Sequence, residues 1–173
     1  MRKVLYFVSP RERYKCDAAV VWCYDHRFEP ALRKLLKRLG VVWSDPIRVA
    51  GGAKVLADPD MEGDRQFILK QLRWSMKLHG TDTVFLMVHS DCGAYGGLAA
   101  FDGDATREME HHKADLERAA DVLKQAIPEL TVKSFFVDFE GIWEPDEPLA
   151  DPKSGKSSFQ TKIRQTKTQQ TKT

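Results

Sequence analysis

Thr83-Val-Phe-Leu-Met-Val-His89-Ser-Asp-Cys92-Gly93 is the stretch on which the reading of this 173-residue sequence turns. Residues 83–88 are the strongest strand candidate in the chain, because β-branched and aromatic side chains suit a pleated, buried surface. Two metal-ligand residue types follow at its carboxyl end. The H-x-x-C spacing lets a histidine at a strand end and a cysteine in the next turn reach the same ion.

Working outward, short apolar runs alternate with helical patterns. Ala18-Ala-Val-Val-Trp22 reads as a buried strand, and Leu32, Leu35, Leu36 and Leu39 follow at i, i+3, i+4 and i+7 before Gly40. A weaker strand is expected over Pro46 to Ala50, ending at Gly51-Gly52. Ile68, Leu69, Leu72 and Met76 form one face of a helix that stops near Gly80. Leu116, Ala120, Leu123 and Ile127 mark a third helix, with Glu108 and Glu110 near its start, where the helix dipole favours acid. A last strand is expected over Thr131 to Phe139. This β-α-β-α-β-α-β order predicts a three-layer α/β/α protein: a central, mostly parallel sheet of strand order 2-1-3-4 with helices on both faces.

Length and a hydrophobic content of 42% suit one core, so residues 1–150 are expected to form a single zinc-binding domain. Residues 151–173 carry six Lys and Arg against one Asp, a net +5; the whole chain is +2, which leaves −3 for residues 1–150. A mildly acidic body argues against a nucleic-acid surface. The Lys/Thr/Gln/Ser-rich tail has almost nothing to bury and is expected to be disordered. No apolar run is long enough to span a bilayer and Val4 to Val8 is too short for a signal-peptide core, so a cytoplasmic protein without membrane association is expected. Cys16 and Cys23 are too far apart to bridge along an extended segment, and reduced thiols are the expected state.

Cys23 ends the first strand and His89 the third, which are neighbours in a 2-1-3-4 sheet. The chain leaves them in opposite directions, so their carboxyl ends border the crevice where such sheets bind ligands. Two thiolates and an imidazole are a zinc donor set with a fourth position open to water. A buried cysteine or a strand-end histidine taken singly is more often a structural residue. It is the convergence of Cys23, His89 and Cys92 that marks a metal centre.

Cys23-x-Asp25-x-Arg27, then Arg48-Val-Ala50-Gly51-Gly52-Ala53, then His89-Ser-Asp91-Cys92-Gly93, resembles the β-class carbonic anhydrase family, in order over roughly residues 18–97. The resemblance implies a zinc enzyme that reversibly hydrates carbon dioxide to bicarbonate through zinc-bound hydroxide, with Cys23, His89 and Cys92 as ligands. It also implies a homodimer or higher homo-oligomer. Asp25 would accept a hydrogen bond from the hydroxide, and Arg27 would clamp Asp25 through a bidentate pair. In a closed state Asp25 would instead be the fourth ligand. Two thiolates make the metal a weaker Lewis acid than three imidazoles would, so activity is expected to favour mildly alkaline pH. The family's long helical arm is expected to be shortened or replaced by a Val4–Val8 strand, and Arg48-Val-Ala50 stands where Arg-Asn-Ala is more usual.

Other readings remain open. The same site could hydrolyse carbon disulfide or carbonyl sulfide, or the zinc could serve a non-catalytic domain. His26 is expected to be structural or exposed, and His79, His111 and His112 to be solvated, one of the last two being a candidate proton shuttle. Ala150-Asp-Pro-Lys-Ser-Gly155-Lys156-Ser157 satisfies a relaxed phosphate-loop pattern but lacks the flanking strand and helix the motif needs.

Overall fold

A computed structural model describes residues 1–145. Strand β1, Ala18–Trp22, is five apolar residues, all buried. A short 3-10 turn, His26–Phe28, leads into helix α1, Glu29–Arg38, which has proline in its first turn and buries Leu32 and Leu35. Strand β2, Ser44–Arg48, is followed by the four-residue helix α2, Lys54–Ala57, and by α3, Glu62–His79. Gly80 ends α3 in the left-handed region, the conformation for which glycine is the favoured helix terminator. Strand β3, Thr83–His89, is buried over its last six residues. Helix α4, Ala105–Ala126, starts at Asp104, whose carboxylate accepts from the N–H groups of Thr106 and Arg107. Strand β4, Thr131–Val137, and the two-residue strand β5, Ile142–Trp143, complete the sheet.

The sheet order is β2-β1-β3-β4-β5, with the first four strands parallel and β5 antiparallel to β4. The order deduced for the first four strands therefore holds, within a mostly parallel α/β architecture. Strand alternation divides the core. Ala18, Val20, Trp22, Phe85, Met87, Phe135 and Val137 pack against Phe28, Leu32 and Leu35 on the α1 side. Ala19, Val21, Val84, Leu86, Val88 and Phe136 meet the side chains of α2, α3 and α4 on the other. Among the described residues, no helix is long and apolar enough to cross a membrane.

Several expectations need correction. β2 lies two residues earlier than Pro46 to Ala50, because the chain must turn at Val49 to bring Gly51-Gly52 against β3. β4 ends at Val137 rather than Phe139, since Asp138 accepts hydrogen bonds from the N–H groups of Glu140 and Gly141 and turns the chain into β5. Val4–Val8 forms no strand: residues 1–15 contain neither helix nor strand, and these five side chains are exposed. Residues 146–173, with the proposed tail and the phosphate-loop-like segment, lie outside the described residues.

His112 is the clearest reversal. Glu108, His112 and Asp115 fall on the same α4 face as Leu116 and Leu123, and all three are essentially fully buried. Asp115 pairs with Arg118. His112 has no hydrogen-bond partner at either ring nitrogen, and burial, followed by the charges of His111 and His89, pushes its pKa down to about 3. Full burial, with Glu108 Oε1 3.6 Å from Nε2, and this downward shift count against His112 as a proton shuttle near neutrality. An unfolded histidine titrates near pH ~6.5. Between that pH and about 3 the unfolded chain binds the extra proton, so stability is lost on acidification at about 1.4 kcal/mol per pH unit. Urea denaturation across this range should show a slope shallower by about one proton in His112→Leu than in the parent chain; equal slopes would contradict a buried neutral histidine.

Candidate metal centre

Cys23 immediately follows β1, His89 is the last residue of β3, and Cys92 precedes the 3-10 turn Gly93–Tyr95. Because β1 and β3 are hydrogen-bonded neighbours, residues 66 positions apart meet at the carboxyl end of the sheet. All three are buried, and their ligand atoms lie within 4.8 Å of one another. A tetrahedral zinc with bonds of about 2.0–2.3 Å spaces such atoms ~3.5–3.8 Å apart. The separation fits with little movement.

The donor chemistry fits as well. His89 Nδ1 lies 2.8 Å from the Ser90 carbonyl oxygen, to which it donates. This fixes the tautomer and leaves Nε2 as a lone-pair donor, buried and without a hydrogen-bond partner. Both thiols are free of disulfides. Cys23 is held well below the usual thiol range, first by its hydrogen bond with Cys92 and then, against the cost of burial, by His89 and the backbone N–H groups of Asp25 and Gly51. Cys92 is correspondingly pushed up by Cys23 and by burial. One thiolate is thus ready, and the second proton is the one a cation would displace.

Gly51 and Gly52 form the backbone wall of this cluster, at φ +72° and +58°. Ala53 N–H donates to the Met87 carbonyl, drawing the turn against β3. A Cβ on Gly52 would lie 2.2 Å from that oxygen and 3.1 Å from the Cys23 nitrogen. The two glycines make close backbone approach possible, as their position in the sequence suggested.

Asp25 and Arg27 come together beside the cluster. The Arg27 Nε donates to both Asp25 oxygens at 3.1 Å, and Nη2 donates to Oδ2 at 2.7 Å. Arg27 chiefly, through these bonds, holds the Asp25 carboxyl down to about 2. Asp25 is not among the three clustered ligands and faces Arg27. His26, on the intervening turn rather than a strand, is exposed.

Some participants escaped the reading of the sequence. Asp91 receives the other arm of Arg27: Nη1 donates to its Oδ2 at 2.8 Å and Nη2 to its carbonyl at 3.0 Å. Asp91 itself has φ +51° and accepts from Leu98 N–H, while its own N–H donates to buried Glu108 at 2.6 Å. The signal for Glu108 was present. It sits one and two turns before His112 and Leu116, in register with the apolar stripe of α4. Arg48 donates to the Cys23 carbonyl and pairs with Glu29. Trp22 and Phe28 flank the His89 ring, and Phe28 and Phe139 lie against the Arg27 guanidinium.

A mostly parallel α/β sheet with a Cys-His-Cys group able to hold a metal ion at the carboxyl ends of two adjacent central strands defines a protein of the carbonic anhydrase-like class. A protein-family model described as "Putative carbonic anhydrase" matches residues 13–145, and the chain belongs to that family. An uncharacterized protein of Rickettsia conorii is 27% identical over 133 residues, which cover 75% of this chain and 72% of the relative. Among solved structures, a carbonic anhydrase from Glaciozyma antarctica is similar at TM-score 0.51 and 22% identity, over 79% of this chain and 85% of that one. Tetrameric β-carbonic anhydrases from Sordaria macrospora are similar at TM-score 0.53 and 14% identity, over 80% and 84%. An apo carbon disulfide hydrolase is similar at TM-score 0.51 and 13% identity, over 83% and 86%. At these identities the structural likenesses establish the shared fold.

Proposed function

We propose that this protein is a zinc-dependent carbonic anhydrase that interconverts carbon dioxide and bicarbonate, with Cys23, His89 and Cys92 as metal ligands. The observation that carries this reading is the buried Cys-His-Cys group with an unpartnered His89 Nε2, set beside an Asp25–Arg27 pair. Zinc held there would supply a Lewis acid that lowers the pKa of water into the mildly alkaline range, which makes a nucleophile for carbon dioxide.

The chain's own residues orient the reaction. Asp25, ionised throughout the neutral and alkaline range, is an acceptor for the hydrogen of the attacking oxygen, which turns a lone pair towards the substrate. Arg27 holds that carboxylate with two nitrogens and is itself anchored by Asp91, so Arg27 positions Asp25, the catalytic acceptor, with little freedom to rotate. This arrangement supports an open site in preference to one with Asp25 as fourth ligand. A homodimer or higher oligomer is part of the proposal, in line with the tetrameric neighbours.

Stopped-flow carbon dioxide hydration from neutral to alkaline pH, with zinc analysis of the same sample, tests the reading. Activity rising with pH in a protein carrying zinc is expected, and loss on chelation. Asp25→Asn should lower kcat/KM by about 10²-fold while leaving zinc content unchanged. Stoichiometric zinc without hydration at any pH would overturn the proposal. The likeness to a carbon disulfide hydrolase makes carbon disulfide or carbonyl sulfide hydrolysis the second reading, so both are assayed in parallel. Turnover of neither substrate would leave the non-catalytic zinc domain.

A further inference from the structure

A second group of ligand-type side chains lies at the amino end of the sheet, opposite the first. Cys16 precedes β1 by two residues, Asp45 is the second residue of β2, and His79 ends α3. Since β1 and β2 run parallel with Ala18 opposite Ser44, their amino ends lie side by side. The Cys16 backbone N–H donates to the His79 carbonyl at 3.1 Å, which brings all three segments together.

The side chains converge on Asp45. Cys16 Sγ lies 3.3 Å from Asp45 Oδ1, and His79 Nδ1 lies 2.9 and 2.8 Å from the two carboxylate oxygens. The sulfur, nitrogen and oxygen all fall within 4.8 Å of one another. Cys16 is 6% exposed, whereas Asp45 and His79 are partly open to solvent. Ser75 Oγ is 2.6 Å from Asp45 Oδ2 and 2.7 Å from Thr81 Oγ1, so Ser75 donates to the carboxylate and accepts from Thr81. The Tyr14 ring stacks on His79, 4.5 Å between centroids. These outer contacts fix the carboxylate and the imidazole ring, the two orientations a metal site must set in advance.

We infer that Cys16, Asp45 and His79 form a second cation site, independent of the first, for a borderline divalent transition metal such as zinc or cobalt(II). One thiolate, one imidazole nitrogen and one carboxylate oxygen form a three-ligand set for such an ion, with solvent in the fourth position. Without a cation, burial first and the Asp45 carboxylate second push the Cys16 thiol up to about 12, so it stays protonated. Cation binding displaces that proton, and the His79 Nδ1 hydrogen is replaced by one on Nε2, freeing the Nδ1 lone pair. The ion would tie the amino ends of β1 and β2 to the end of α3. It would take no part in the chemistry at Cys23, His89 and Cys92.

Titration of the metal-free full chain with cobalt(II) tests the inference, because a thiolate ligand gives a charge-transfer absorption that adventitious surface sites lack. Two equivalents per chain are expected. In Cys23→Ser/Cys92→Ser, which lacks both thiolates of the first site, one equivalent with charge-transfer absorption should remain. Adding Cys16→Ser should abolish that absorption. Ser75→Ala, which keeps all three ligands, should weaken the second equivalent by about 10- to 100-fold. Where the triple variant does not fold, Cys16→Ser and His79→Gln made singly should each reduce the count from two to one. A single equivalent in the parent chain, lost with Cys23→Ser, would overturn the second site while leaving the proposed function standing. Absorption in the double variant that survives both Cys16→Ser and His79→Gln would also overturn it.

Discussion

Cys23→Ser is expected to remove the zinc equivalent held with His89 and Cys92 and lower carbon dioxide hydration by about 10³-fold or more. Cys23 is the thiol of the pair that ionises most readily, because Cys92, His89 and the N–H groups of Asp25 and Gly51 all favour its charged form. A serine hydroxyl in that place would remain protonated and is a poor partner for a borderline-soft ion. Two ligands, His89 and Cys92, would remain. Without the metal, the pKa of water returns towards about 15.7, and the nucleophile is lost at neutral pH. Metal analysis and stopped-flow assays on the folded variant check both parts. A metal count equal to that of the parent chain, with undiminished activity, would remove Cys23 from the ligand set, and with it the mechanism.

Gly52→Ala should destabilise the protein by about 3–5 kcal/mol, although it adds only a methyl group and touches no ligand side chain. The left-handed backbone at φ +58° disfavours any residue with a Cβ. Steric overlap costs more. The new Cβ would stand 2.2 Å from the Met87 carbonyl oxygen, and real contacts of this kind require more than 3 Å, so backbone must move. The atoms in its way belong to β3, two residues before His89, and to Cys23 itself. Stability and metal affinity should therefore fall together, with the midpoint of thermal unfolding lowered by about 10 °C or more. A variant with unchanged midpoint and full zinc affinity would show that the turn does not press on β3 as described. Gly40, with nothing within 4 Å of an added Cβ, gives the contrast: Gly40→Ala carries only the backbone penalty of its φ +72°.

The two substitutions divide what could be read from residue types from what could not. Cys23, His89 and Cys92 were legible because strand ends are marked by apolar runs, and a parallel sheet places neighbouring carboxyl ends together whatever the sequence separation. The Asp25–Arg27 pair was legible through its spacing and its resemblance to a family pattern. Asp91 was visible in the motif, but its contact with Arg27 depends on a left-handed residue in a loop, which no periodicity announces. A histidine on a helix is expected to be solvated, but the position of His112 four residues before Leu116 places it on the buried face of α4. Val4–Val8 failed in the other direction. Its apolar run has no partner strand among the described residues, and β-propensity without a partner makes no sheet.

By itself, then, the sequence determined the order of strands and helices, the layered fold and the identity of the Cys-His-Cys group, because these follow from local periodicity and from donor chemistry. Tertiary structure decided the close approach of Gly52 to β3, the anchoring of Arg27 by Asp91, the neutral burial of His112 and the meeting of Cys16, Asp45 and His79. Each of those depends on contacts between segments apart in the chain being held to within about a few tenths of an ångström, and such positions are set only when the whole core is packed.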